Sequence, residues 1–138
     1  MESRRSRHEA ATPATRDAGR GSEVLARLRG LEAATEVAAD RLRSGDWHLA
    51  VAAWNGVALA AEGLFGPDDL TVVDAMRVAA TAMARVGRHA ESTDVLSDAF
   101  ERTVRREGAA SERSMVVRGE LEVALDRSIR SEPDRVAG

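Results

Sequence analysis

Gly45-Asp46-Trp47-His48-Leu49-Ala50 and Gly87-Arg88-His89-Ala90-Glu91-Ser92 open two similar segments, and Gly66 and Gly108 close them, 42 residues apart in both cases (87−45 and 108−66). A fixed period of this size marks stacked helix hairpins. One hairpin cannot bury its apolar face alone, so neighbouring units share a core. The pattern predicts a binding scaffold before anything else.

Outward from these turns, apolar residues recur at helical steps. Val24, Leu28, Leu31, Ala34, Ala38 and Leu42 follow Ser22, a residue type that caps helices, and predict a first helix over about 22–43 that ends at Gly45. Trp47, Ala50, Val51, Trp54, Val57, Ala58 and Ala61 share one face of a second helix, which stops in Leu64-Phe65-Gly66-Pro67-Asp68-Asp69. A third helix carries Leu70, Val73, Met76, Ala80, Met83 and Val86; its start after Pro67 and two acids suits the positive helix end. A fourth turns Ser92, Val95, Leu96, Ala99, Phe100 and Thr103 inward and ends near Gly108. A fifth begins at Ser111, buries Val117, Leu121, Ala124, Leu125 and Ile129, and finishes by Ser131-Glu132-Pro133.

Composition supports an all-α chain. It has 138 residues, one domain's worth, with abundant Ala, Leu and Val, 3% aromatics and no Tyr, where strands would draw on more aromatic and β-branched residues. The absence of Cys excludes disulfides, thiolate zinc sites and cysteine nucleophiles. All 20 basic residues are Arg. No apolar stretch follows the basic start, and no segment approaches the roughly 20 apolar residues of a membrane helix, so a cytoplasmic protein with no membrane partner is expected. Residues 1–21 hold Pro13, Gly19 and Gly21 among small and polar residues with no large apolar side chain after Met1; they are expected to be a disordered basic tail, with the repeat domain over 22–131 and a flexible tail over 132–138. A net charge of −3 argues against nucleic acid as the main partner. A regulator that touches nucleic acid through the basic tail is the weaker alternative.

The two turn segments resemble the tetratricopeptide repeat family, whose units read Gly, polar, aromatic, two variable residues, then a small residue. Leu64-Phe65-Gly66-Pro67-Asp68-Asp69 and the 42-residue spacing are similar to its kinesin-light-chain-like branch. Ala50 and Ser92, Trp54 and Leu96, and Val57 and Ala99 match successive signature positions, as do Met76, Ala79, Ala80 and Met83 in the second unit. Arg41, Arg118 and Glu122 depart from the signature, which makes the first and last helices atypical caps. The resemblance implies a right-handed superhelical stack of antiparallel helix hairpins, about five helices, whose first helices line a concave groove.

In such a stack the residues just before the turn glycine face the groove, and Arg43, Arg85 and Arg127 stand there in register (85−43 and 127−85). Arg77, with Asp74 and Thr81 at helical spacing, extends this surface. Guanidinium groups offer paired donors to carboxylates, so an acidic peptide or another protein is the natural partner. Arginine in a last helical turn is also favoured by the negative helix end alone, and the spacing leaves both explanations open. Only Asn55 and no Lys are present, which disfavours the family's carboxylate clamp for chaperone tails. His8, His48 and His89 have no metal-ligand spacing, and no nucleophile or phosphate loop is readable, so neither cofactor, metal nor catalysis is expected. Two hairpins and one helix fall short of the usual three repeats, so homodimerisation or permanent docking into a larger complex is the alternative to an adaptor.

Overall fold

The computed structural model describes residues 13–132, with side chains from residue 19 onward. Five helices account for it: α1 (Pro13–Arg43), α2 (Trp47–Phe65), α3 (Leu70–Arg85), α4 (His89–Glu107) and α5 (Glu112–Arg130), with no strand among the described residues. Each helix packs chiefly on its neighbours in sequence, which produces a stack of antiparallel hairpins. None is long and apolar enough to cross a membrane.

The 42-residue echo is a repetition of backbone geometry. Gly45 and Gly87 sit at φ 72° and 82°, and the same pair of hydrogen bonds closes both turns: Asp46 N–H to Arg41 O (3.0 Å) with Gly45 N–H to Leu42 O (3.1 Å), then Arg88 N–H to Met83 O (2.9 Å) with Gly87 N–H to Ala84 O (3.1 Å). This is the Schellman closure, which needs a left-handed residue that only glycine adopts without steric cost. The other two turns repeat a different closure. Gly66 and Gly108 donate to Glu62 O and Val104 O, and Asp69 and Ser111, also 42 apart (111−69), cap the next helix by accepting from Thr71 N–H (2.9 Å) and Ser114 N–H (3.0 Å).

One apolar cluster runs through the stack, drawing on Leu31 and Ala38 from α1, Val57 and Ala61 from α2, Val73 and Met76 from α3, Ala99 from α4 and Val117 from α5. Alanines at the contacts let helices approach closely. Ser92 Oγ crosses from α4 to donate to the Ala80 carbonyl of α3 at 2.8 Å, satisfying a hydroxyl that is otherwise buried. Helix α3 buries Val72, Ala75, Ala79 and Ala82 in addition to the expected stripe. Its middle position explains this, because it is covered by α2 on one side and α4 on the other.

Polar braces reinforce the second turn. The Arg102 guanidinium donates to Asp98 of its own helix (3.0 Å), to Glu62 of α2 (3.0 Å) and to the Pro67 carbonyl (2.7 Å). Arg105 forms a forked pair with Asp68 (3.1 and 2.9 Å) and holds that carboxyl below its usual range, chiefly through this hydrogen bond. Asp68-Asp69 is thus a helix start whose two acids have separate tasks, one capping and one bracing.

Three expectations are corrected. The first helix starts at Pro13 rather than near Ser22, so residues 13–21, expected in a disordered tail, are helical; proline fits a first helical turn, and a packed helix extends at low cost once nucleated. Residues 1–12 and 133–138, the rest of the two expected tails, lie outside the described residues. Val24 is 48% exposed, because among the described side chains of α1 the first to be covered is Leu28. Leu125 and Ile129, expected in the core, are 48% and 65% exposed, because no described helix follows α5 to cover that side.

Candidate functional site

Helices α3 and α5 are alternate members of the stack, and α4 holds them apart. Between them lies a groove of about 410 Å³, walled by Thr81 and Ala84 of α3 and by Val116, Val123 and Arg127 of α5. Ser92 and Leu96 of α4 with Ala80 and Ala124 also line it. The groove exists because its walls are small: Ala80, Ala84, Gly119 and Ala124 recede where larger side chains would meet. A Cβ added at Gly119 would touch nothing within 4 Å.

One end is latched. Arg77 of α3 donates from Nε to Glu120 of α5 at 2.6 Å and from Nη1 to Asp74 at 3.2 Å, so its positive charge is already met. Beyond the latch the surface turns polar, in a recess lined by Arg77, Glu107, Glu112, Arg113 and Val116, where Arg113 pairs with Glu107 at 2.7 Å. The other end is open and carries Arg127, exposed and in no ion pair among the described residues. Thr81 Oγ1 donates to the Arg77 carbonyl (3.1 Å), which leaves its lone pairs available to a ligand donor.

The three in-register arginines stand in three different environments. Arg43 is tied to Asp40 on its own helix and is not part of the groove wall. Arg85 lies over the Trp47 ring, 5.1 Å from its centroid, on a recess shared with Gly45, His48 and Leu49. Only Arg127 faces the groove with its charge unmatched. Of the six residues singled out from the sequence, the structure therefore gathers Thr81 and Arg127 on one groove. Arg77 and Asp74 flank its latch, and Arg43 and Arg85 lie apart.

Several lining residues had no individual signal in the sequence. Val116, Glu120, Val123 and Arg127 do recur at three- and four-residue steps on α5, a second stripe beside the buried one of Val117, Leu121 and Ala124. Reading both stripes of α5 would have found the wall. The sequence pattern places Ser92 and Leu96 in the core; that they also floor a groove depends on the spacing of three helices.

The described residues include no group of three or more His, Cys, Asp or Glu placed to hold a metal ion. The chain finds no significant match among family models, curated proteins or solved structures.

Proposed function

We propose that the chain is a non-catalytic interaction module of tetratricopeptide-like architecture that binds a peptide or protein segment in the groove between α3 and α5. The observation that carries this reading is an apolar groove with an unmatched guanidinium at its open end, Arg127. Such a site suits a segment that places an apolar side chain over Leu96 and Val123 and a carboxylate, from a C-terminus or an acidic residue, against Arg127. The apolar contact supplies affinity and the charged pair supplies orientation.

The test is titration with short fluorescent peptides that vary the apolar side chain and present the terminus as free carboxylate or amide. A carboxylate ligand should lose roughly tenfold in affinity on Arg127→Ala, since a charge-assisted hydrogen bond contributes about 1.5–3 kcal/mol. Arg43→Ala, which alters an exposed pair away from the groove, should leave affinity unchanged. Equal affinity of wild type and Arg127→Ala at every salt concentration would refute the reading.

A further inference from the structure

Helix α2 has an exposed face without a single charge. Leu49, Ala52, Gly56, Leu59, Ala60 and Gly63 fall within about 100° of one another on the helix, and all six are exposed, Leu59 at 70%. The repeat supplies an internal comparison. Forty-two positions later (91−49), helix α4 carries Glu91, Asp94, Asp98, Glu101, Arg102 and Arg105 at the same places, every one charged. Two helices with the same role in the stack therefore differ in one respect: this face is charged on α4, where Arg102 and Arg105 brace the neighbouring helix and turn, and uncharged on α2.

The opposite end of the stack is finished differently. On α5, Arg118 and Glu122 pair at 3.1 Å in the positions where α3 buries Met76 and Ala80 (118−76 and 122−80). An exposed ion pair there opposes addition of another helix, since burying it would strip both charges of water. That pair stands among the exposed Met115, Leu125 and Ile129 on the outer face of α5, whereas the exposed face of α2 carries no charge at all.

From this contrast we infer that the α2 face, with the neighbouring part of α1, is a self-association surface that takes a second copy of this chain. The face is complementary to itself. A twofold axis through Gly56 sets α2 antiparallel to its copy and opposes Leu49 to Gly63, Ala52 to Ala60 and Gly56 to Gly56, so Leu49 meets a glycine and the axis passes between small residues. The recess for the incoming Leu49 already exists: about 370 Å³ between α1 and α2, lined by Gly30, Leu31, Leu59, Ala60, Gly63 and Leu64, with Arg27 at its edge on α1. Added Cβ atoms at Gly30, Gly56 and Gly63 meet nothing within 4 Å in the single chain, so no contact inside the chain requires glycine at these places.

The size is adequate. Helix α2, at 19 residues, is about 28 Å long, and with α1 beside it the footprint is on the order of 28 by 20 Å before side-chain relief is counted. That is the scale of the roughly 800 Å² per partner of a standard stable interface. Residues 1–12 and 133–138 offer one large apolar side chain each, Met1 and Val136, and so cannot supply the leucines that the recess calls for. The inference is independent of the groove between α3 and α5.

Light scattering on the full chain at micromolar to tens-of-micromolar concentration tests it. The wild type should show a mass of about 29.6 kDa, twice 14.8 kDa. The double variant Gly56→Asp, Leu59→Glu, which copies the charges of α4, should fall to the single-chain mass with its far-ultraviolet spectrum retained. Gly63→Leu, uncharged and with open space around its Cβ, should also dissociate the dimer by filling the recess. A wild type that stays at 14.8 kDa, including one that captures only unrelated apolar peptides on this face, would overturn the inference. So would a dimer that survives the double variant or Gly63→Leu, or one whose cross-links map to Met115 and Ile129 on α5. Peptide binding by the Gly56→Asp, Leu59→Glu variant, measured in parallel, separates failure here from failure of the groove.

Discussion

Trp54 offers the most searching test of the packing. It lies on α2 where the second unit has the buried Leu96, and its ring packs against two of the apolar clusters while remaining half-buried. Its Nε1–H is buried without an acceptor among the described residues. The ring and the N–H therefore act in opposite directions. Truncation to alanine removes the ring and should cost about 3 kcal/mol, the lower end of the usual range for a large aromatic because the residue is partly exposed. Trp54→Phe keeps most of the ring, loses roughly 1 kcal/mol of burial, and relieves an unsatisfied donor whose cost is about 1–3 kcal/mol. Its net effect should lie within about 1–2 kcal/mol of zero on either side. The assay is urea unfolding followed by circular dichroism, with Trp47 as a second reporter by fluorescence. With a slope of roughly 1.5 kcal/mol per molar urea, Trp54→Ala should move the midpoint down by about 2 M. Phenylalanine as damaging as alanine would refute the account of the N–H, and alanine costing under about 1 kcal/mol would refute the structural role of the ring.

Two other outcomes follow from local geometry. Gly87→Ala should destabilise by about 1–2 kcal/mol, since φ of 82° forces the new Cβ into a left-handed conformation; Gly119→Ala, in a helix interior with open space around it, should stabilise by up to about 1 kcal/mol, and urea midpoints of the two variants must shift in opposite directions. The Asp68 carboxyl, held below its ordinary value of 3.8 by Arg105, contributes stability that is present above that value and lost as pH falls through its lowered folded-state value. Carbon-detected titration should show its midpoint rising towards 3.8 in Arg105→Ala, and an unchanged midpoint would remove the brace from the argument.

The turns and the number of helices were legible because their causes are local. Gly45, Gly66, Gly87 and Gly108 each occupy a left-handed backbone position, and the apolar stripes between them recur at helical steps. Helix starts were less legible. Pro13 opens α1 ahead of the Ser22 expected, because residues 13–21 carry no large apolar side chain and so leave no periodic trace to read. The buried width of α3 also escaped a one-stripe reading, since having two neighbours rather than one is a property of the stack.

The sequence by itself determined an all-α chain of repeated hairpins, the places where it turns, and the register that aligns Arg43 with Arg85 and Arg127, because dihedral preference and periodicity act over a few residues. Only the tertiary structure decided which of those arginines is available. Arg85 is occupied by Trp47, Arg43 by Asp40 and Arg77 by Glu120, 43 residues away in the chain, while Arg127 alone faces the groove unmatched. The α2 face follows the same rule. Its residues are visible in the sequence, but their exposure is set by which helix lies beside them, and that is fixed by burial in three dimensions rather than by any local preference.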